Sequence, residues 1–300
     1  MRLARPSCTH SASLLLALAA VVVWGATFTL SKQLLAALSP LCILWVRFVV
    51  GYAALWLFYP RRLTWQGGST EARLALMGLF GVTLYFCGEN FALVYGGAGM
   101  VSVVVCVSPV LTALLPWLIG RGGSLGVAYW VGFVLAMGGV LLTVSGGELQ
   151  ALGGAWQGAA LAAAGALSWA LYTLIAQALP AHLNRLAVTR RVFFWGLVTM
   201  APLCLRESGT WAWGELVVWS NAWRLLALGM VAGAGCYAAW GFAVAHLGGV
   251  RTSLLLYLNP VVGVVTAALV LGEKLTGWIA LGVAFTLAGV ALSARGRRRA

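Results

Sequence analysis

Only six residues of this 300-residue chain carry a carboxylate, Glu71, Glu89, Glu148, Glu207, Glu215 and Glu273, and aspartate is absent. Its three histidines, His10, His182 and His246, lie far apart, and its six cysteines show no CxxC or Cys/His spacing. Such a set offers no paired aspartates for acid–base work, no HExxH metal site and no GxSxG nucleophile. There is also no GxxxxGK[ST] loop to cradle ATP phosphates. Enzymatic chemistry, a metal, a cofactor and a disulfide framework are therefore not expected, and the cysteines read as small apolar packing residues.

Two charged residues stand apart because of where they lie. Glu89 falls inside the apolar run Leu74–Tyr95, about 9 Å from its end at 1.5 Å per residue, and Arg47 lies at similar depth inside Leu41–Tyr59. A charge left alone in hydrocarbon costs about 2.5–3.5 kcal/mol or more, so such groups face a partner or a watery cavity. The two are expected to meet, either as a structural ion pair or as part of a substrate site. Coupling to protons would run through Glu89, the one carboxylate well inside an apolar run.

Around them stand aromatic and polar candidates. Tyr85 and Glu89 share a helix face, as do Tyr237 and Trp240. With Trp24, Trp169, Tyr172 and Tyr257 they offer apolar walls for an organic substrate, although any one alone reads first as a packing or lipid-facing ring. Ser108-Pro109 and Asn259-Pro260 occupy matched positions; proline removes a donor and kinks a helix. The carbonyls so freed, with Ser108, Asn259 and Asn90, are candidate hydrogen-bonding groups, while the same prolines can serve only to bend the bundle. His246 and Arg251 read as a gate or as interfacial anchors. Glu148, Glu207 and Glu215 fall in loops, and Glu273 at a helix end suits a structural role.

Composition says what must position these residues. The chain is 62% hydrophobic and 8% charged, against about 25% charged for soluble domains. About 20 apolar residues cross the hydrocarbon core. Ten segments qualify: Leu14–Leu35, Leu41–Tyr59, Leu74–Tyr95, Val101–Ile119, Val127–Val144, Gly158–Ala178, Val188–Leu205, Leu225–Leu247, Thr252–Leu271 and Leu275–Ser293. The longest connection, Arg206 to Arg224, carries Trp211, Trp213, Trp219 and Trp223, which suit the interfacial belt. The first span follows Arg2 and Arg5 and has the flanks of a signal peptide, but it is long and the internal repeat needs it. The net charge of +13 punctuates apolar segments as topology-setting charges do, so no nucleic-acid partner is expected. With the N-terminus cytoplasmic, fourteen arginines fall inside and Lys32, Arg206, Arg224 and Lys274 outside. That positive-inside bias puts both termini in the cytoplasm and calls for an even number of spans.

The chain also matches itself. At an offset of 151, Phe91-Ala92 falls on Phe242-Ala243, Gly97 on Gly248, Ser102 on Ser253 and Ser108-Pro109-Val110 on Asn259-Pro260-Val261; at 145, Trp24 falls on Trp169. After a one-residue slip, Gly132 meets Gly282 and Gly139-Val140 meets Gly289-Val290. Two halves of five spans each must insert in opposite senses. Inverted repeats are the common architecture of secondary transporters, with substrate near the midplane at the repeat interface.

Trp24-Gly25-Ala26-Thr27-Phe28, the Ser-Pro and Asn-Pro steps, and Leu271-Gly272-Glu273 before a Gly-rich last span resemble the EamA family of the drug/metabolite transporter superfamily over almost the whole chain. Glu89-Asn90-Phe91-Ala92-Leu93-Val94-Tyr95 is similar to a variant motif within that family. The resemblance implies an all-α integral membrane protein of ten transmembrane helices, built as two inverted five-helix repeats over residues 1–150 and 151–300. The cavity would be lined by the first four helices of each half, with the fifth and tenth peripheral. It further implies alternating-access efflux of amino acids or related metabolites across a bacterial inner membrane. A drug or toxic-compound exporter is the alternative, and a channel or structural membrane protein the reading from another class. An anionic sugar phosphate would want several inward cations, and only Arg47 is so placed. Where the second half has Gly272-Glu273 the first has Arg121-Gly122, so that acidic position is not duplicated. Gly132, Gly138, Gly139, Gly282 and Gly289 suit helix packing within the bundle or between protomers, and a monomer or a homodimer fits. The expected partners are a small-molecule substrate, the lipid bilayer and, through Glu89, protons.

Overall fold

A computed structural model of the chain describes residues 7–61, 63–121, 124–146, 152–180, 182–247, 252 and 255–295. Arg2, Arg5, Arg62, Gly122, Glu148, Gly248, Arg251, Ser253 and Arg297 to Arg299 lie outside the described residues. Among the described residues there is no β-strand. The helices are α1 (Ser7–Leu34), α2 (Pro40–Phe58), α3 (Gly68–Tyr95), α4 (Ala98–Leu118), α5 (Val127–Ser145), α6 (Leu152–Gln177) and α7 (Arg185–Glu207). They continue with α8 (Trp219–Leu226, Ala227–Gly235 and Cys236–Leu247), α9 (Leu255–Leu271) and α10 (Gly277–Arg295).

Among the described residues, nine of these are long and apolar enough to cross a membrane, and α9 is shorter. Local chemistry sets their ends. The Ser39 hydroxyl accepts from Cys42 N–H at 3.3 Å to open α2, with proline in its first turn, where no N–H is needed. The Asn184 side-chain Oδ1 accepts from Leu186 and Ala187 N–H to open α7, and Gly146 and Gly272 close α5 and α9 in the left-handed region. Large apolar side chains such as Leu57, Val127, Val134 and Leu269 point outward, the arrangement lipid requires and water would not tolerate.

Several boundaries differ from expectation. Helix α3 starts at Gly68 rather than Leu74 and α8 at Trp219 rather than Leu225, because polar residues extend each helix beyond its apolar run. The tryptophan-rich connection is correspondingly short, with single helical turns at Ser208–Thr210 and Trp213–Leu216. Trp213 and Trp219 are exposed, but Trp211 is buried against the core with its indole N–H on Glu207, so the belt reading fails for it.

Helix pairings recur five helices on. Helix α1 packs on α8 and α9, and α6 on α3 and α4; α2 packs on α8, and α7 on α3; α2·α7, α4·α9 and α5·α10 pair with each other. Individual contacts follow the same rule. A Cβ on Gly51 would lie 3.1 Å from Gly229 O, and one on Gly78 would lie 2.6 Å from Gly196 N; offsets of 145 and 151 turn the first pair into the second. Arg73 donates to Ala178 O just past α6 at 2.8 Å, and Arg224 to Gln33 near the end of α1 at 3.0 Å. Both α3 and α8 carry a π-helical stretch, Leu79–Leu84 and Ala227–Gly235.

The α5·α10 pair is a glycine seam. A Cβ on Gly132 would lie 2.5 Å from Gly289 O, and one on Gly139 2.5 Å from Gly282 O. Gly138 has open space instead, which removes it from the packing set expected from the sequence.

Candidate functional site

Helices α2 and α3 bring the buried charges together, and α1, α6, α7 and α8 add further aromatic rings. Arg47 Nη1 lies 4.0 Å from Glu89 Oε1, with side chains 5% and 2% exposed. Charge-assisted hydrogen bonds run at about 2.7–2.9 Å, so this is an attraction across a gap. Neither atom has a hydrogen-bond partner. The Arg47 guanidinium rests on the Phe86 ring, 4.3 Å from its centroid, with Phe48 at 5.7 Å. The Tyr85 hydroxyl interacts with the Glu89 carboxylate from one turn back.

From this pair a chain of rings runs through both halves of the sequence. Tyr172 touches Trp169, Trp169 touches Tyr85, and Tyr85 touches Phe86. Phe86, Phe48 and Phe193 follow at centroid spacings of 5.0 Å. Phe193 then meets Tyr237 at 5.5 Å, and Trp24 closes the line against Tyr237 and Trp240. Six of the rings, Trp24, Tyr85, Trp169, Tyr172, Tyr237 and Trp240, are among those the sequence singled out. Phe48, Phe86 and Phe193, which join them, were missed, although the offset relating Trp24 to Trp169 also relates Phe48 to Phe193.

The π-helical stretches anchor this line. Such stretches interrupt the regular ladder of backbone hydrogen bonds. In α8 the Ala232 carbonyl accepts from Trp24 Nε1–H at 2.9 Å, and in α3 the Phe80 carbonyl accepts from the Ser168 hydroxyl at 2.8 Å.

The remaining candidates lie elsewhere. Asn90 donates to Pro40 O at 3.1 Å, tying α3 to the start of α2. Pro109 and Pro260 stand in the first turns of helical segments that resume at Ser108 and Asn259, after a turn at Cys106–Val107 and a 3-10 turn at Leu255–Leu258. A tighter turn therefore breaks the regular α-helical ladder just before each proline. Ser108 is buried, and Asn259 Oδ1 is buried without a hydrogen-bond partner. A Cβ on Gly25, beside Trp24, would lie 3.1 Å from Asn259 O, which sets that break next to the end of the ring line. Tyr257 packs instead against the cluster of Val107, Val110 and Tyr129, so it is not brought to the ion pair. His246 is exposed, with its ring on Phe242 and Nδ1 against Phe242 O.

Two further charges act on helix ends. The Ala98 and Gly99 N–H groups donate to Glu273 Oε1 and Oε2 at 2.7 and 3.1 Å, placing a carboxylate at the positive end of α4. Lys32 donates to Leu93 O and Gly96 O at the end of α3. The described residues hold no group of His, Cys, Asp or Glu able to bind a metal ion.

The model of the EamA-like transporter family matches residues 11–145 and 156–295. A probable amino-acid metabolite efflux pump of Escherichia coli K12 is 30% identical over 94% of this chain and 95% of its own. An uncharacterized transporter of Archaeoglobus fulgidus is 28% identical over 96% and 97%. A probable terminal-alkyne amino-acid exporter of Streptantibioticus cattleyicolor is 29% identical over 75% of each. A solved crystal structure, 21% identical, covers 97% of this chain and all of its own with a TM-score of 0.62, a likeness of fold.

Proposed function

We propose, from the premise that the chain belongs to the EamA-like transporter family, that it is a secondary carrier exporting amino acids or related metabolites by alternating access. The observation that carries this reading is the Arg47–Glu89 pair, buried at 4.0 Å with hydrogen-bonding capacity unused on both sides. An amino acid brings a carboxylate and an ammonium on one small frame. In this reading Arg47 takes the carboxylate and Glu89 the ammonium, while Tyr85, Phe86 and Trp169 receive the apolar remainder. The names borne by the two amino-acid exporters among the relatives agree with that class.

Alternation requires two equivalent halves. The recurrence of helix pairings and of the Gly51·Gly229 and Gly78·Gly196 contacts supports ten spans in two inverted repeats, with α9 as the ninth. The positive-inside bias supports an inner-membrane protein with both termini cytoplasmic. The second reading, export of drug-like cations, draws on the same ring line and on Glu89.

Uptake from a mixed pool of amino acids and drug-like cations into proteoliposomes, read by mass spectrometry, separates the two. Enrichment of amino acids is expected. Movement of the cations alone transfers the function to the second reading, and movement of nothing contradicts both.

A further inference from the structure

A second basic site lies at the arginine-rich ends of α2 and α7. A cleft of about 420 Å3 there is lined by Tyr52, Trp56, Leu63, Arg190, Arg191 and Phe194, none of which belongs to the ring line or the ion pair. Its two arginines differ in kind. Arg191 Nε lies 3.1 Å from Glu71 Oε1, so its charge is matched. Arg190 is 6% exposed, donates to Tyr59 O and Arg61 O, and lies 5.0 Å from the Trp56 ring. Among the described residues no carboxylate lies within 4.0 Å of it. Carbonyls at the end of α2 favour a cation there but do not cancel its charge, and a buried charge without a counter-ion is costly.

The walls say what kind of anion fits. The Tyr52 and Phe194 ring centroids stand 6.4 Å apart, Trp56 donates to the Tyr52 hydroxyl at 3.2 Å, and Phe194 is 37% exposed at the rim. Rings with one apolar side and one polar edge belong at the headgroup level of a bilayer. Basic pockets between membrane helices suit phosphate headgroups, which guanidinium groups grip by paired hydrogen bonds. We propose that this cleft binds the headgroup of an anionic phospholipid, with the phosphodiester on Arg190 and the glycerol end against Trp56, Tyr52 and Phe194. The site is separate from the substrate path, and its test does not depend on transport.

The experiment is native mass spectrometry of the full-length protein in mild detergent. Phosphatidylglycerol, phosphatidylcholine or inorganic phosphate is added, and the thermal midpoint of each variant is recorded. Phosphatidylglycerol adducts are expected to survive at least tenfold better than phosphatidylcholine adducts, and Arg190→Gln to erase the difference. Because Arg190 also holds the end of α2, Phe194→Glu serves as a second variant; it sets an anion on the exposed rim and should erase the preference with the Arg190 bonds intact. Equal retention of the two lipids overturns the proposal, as does a preference that survives Phe194→Glu in the folded protein. Stabilisation by inorganic phosphate equal to that by phosphatidylglycerol assigns the cleft to a free anion and overturns it as well.

Discussion

At Arg47 and Glu89 two opposite charges face each other across 4.0 Å with no hydrogen bond between them. Removing one partner strands the other, which in buried pairs costs about 3–5 kcal/mol, whereas replacing both by apolar residues is often neutral or stabilising. Arg47→Met alone is therefore expected to lower the thermal midpoint sharply, and Arg47→Met with Glu89→Leu to recover most of it while transport stays absent. A double variant as unstable as the single one would make the pair a requirement of folding. The pair was legible in the sequence because a charge deep in an apolar run has few acceptable environments. Phe48, Phe86 and Phe193 were not, because phenylalanine is unremarked in a chain where 62% of residues are hydrophobic. Their role depends on α2 meeting α7 at one level, which hydropathy does not encode.

Among the elements, the α5·α10 seam gives the cleanest contrast. Gly139→Val would drive side-chain carbons into the α10 backbone and is expected to cost about 1–3 kcal/mol as overpacking. Gly138→Val, one residue back, meets open space and should stay within about 0.5 kcal/mol; thermal midpoints of the two variants check both figures. Equal effects would mean that helix propensity, not the seam, governs these positions. Glu273→Ala removes the carboxylate that accepts from Ala98 and Gly99 N–H and is expected to cost about 0.5–2 kcal/mol, the range for a lost helix cap, by the same measurement. Helix positions were readable from apolar runs, and the prolines mark where the ladders of α4 and α9 tighten. The early starts of α3 and α8 were hidden because polar residues extend a helix without adding to its apolar run. The partners of Glu273 were hidden too, being backbone N–H groups far away in sequence with no side-chain signature.

At the scale of the whole molecule, the internal match of the sequence made the repeat legible, while its three-dimensional form rests on contacts such as Arg73·Ala178 and Arg224·Gln33. The inversion proposed above would put those two contacts on opposite faces of the membrane. Single cysteines replacing Arg73 and Arg224 in a cysteine-free background are thus expected to react with an impermeant maleimide from the cytoplasmic and the outer side respectively. Labelling of both from one side would contradict inversion. On the proposed function, a carrier of zwitterionic metabolites uses the Arg47–Glu89 pair as its binding site. Amino-acid counterflow in proteoliposomes tests this for wild type and Glu89→Gln, matched for amount and assayed below the thermal midpoint of each. Exchange is expected in the wild type, with at least a tenfold loss in the folded variant; undiminished exchange in Glu89→Gln would remove the pair from the binding site.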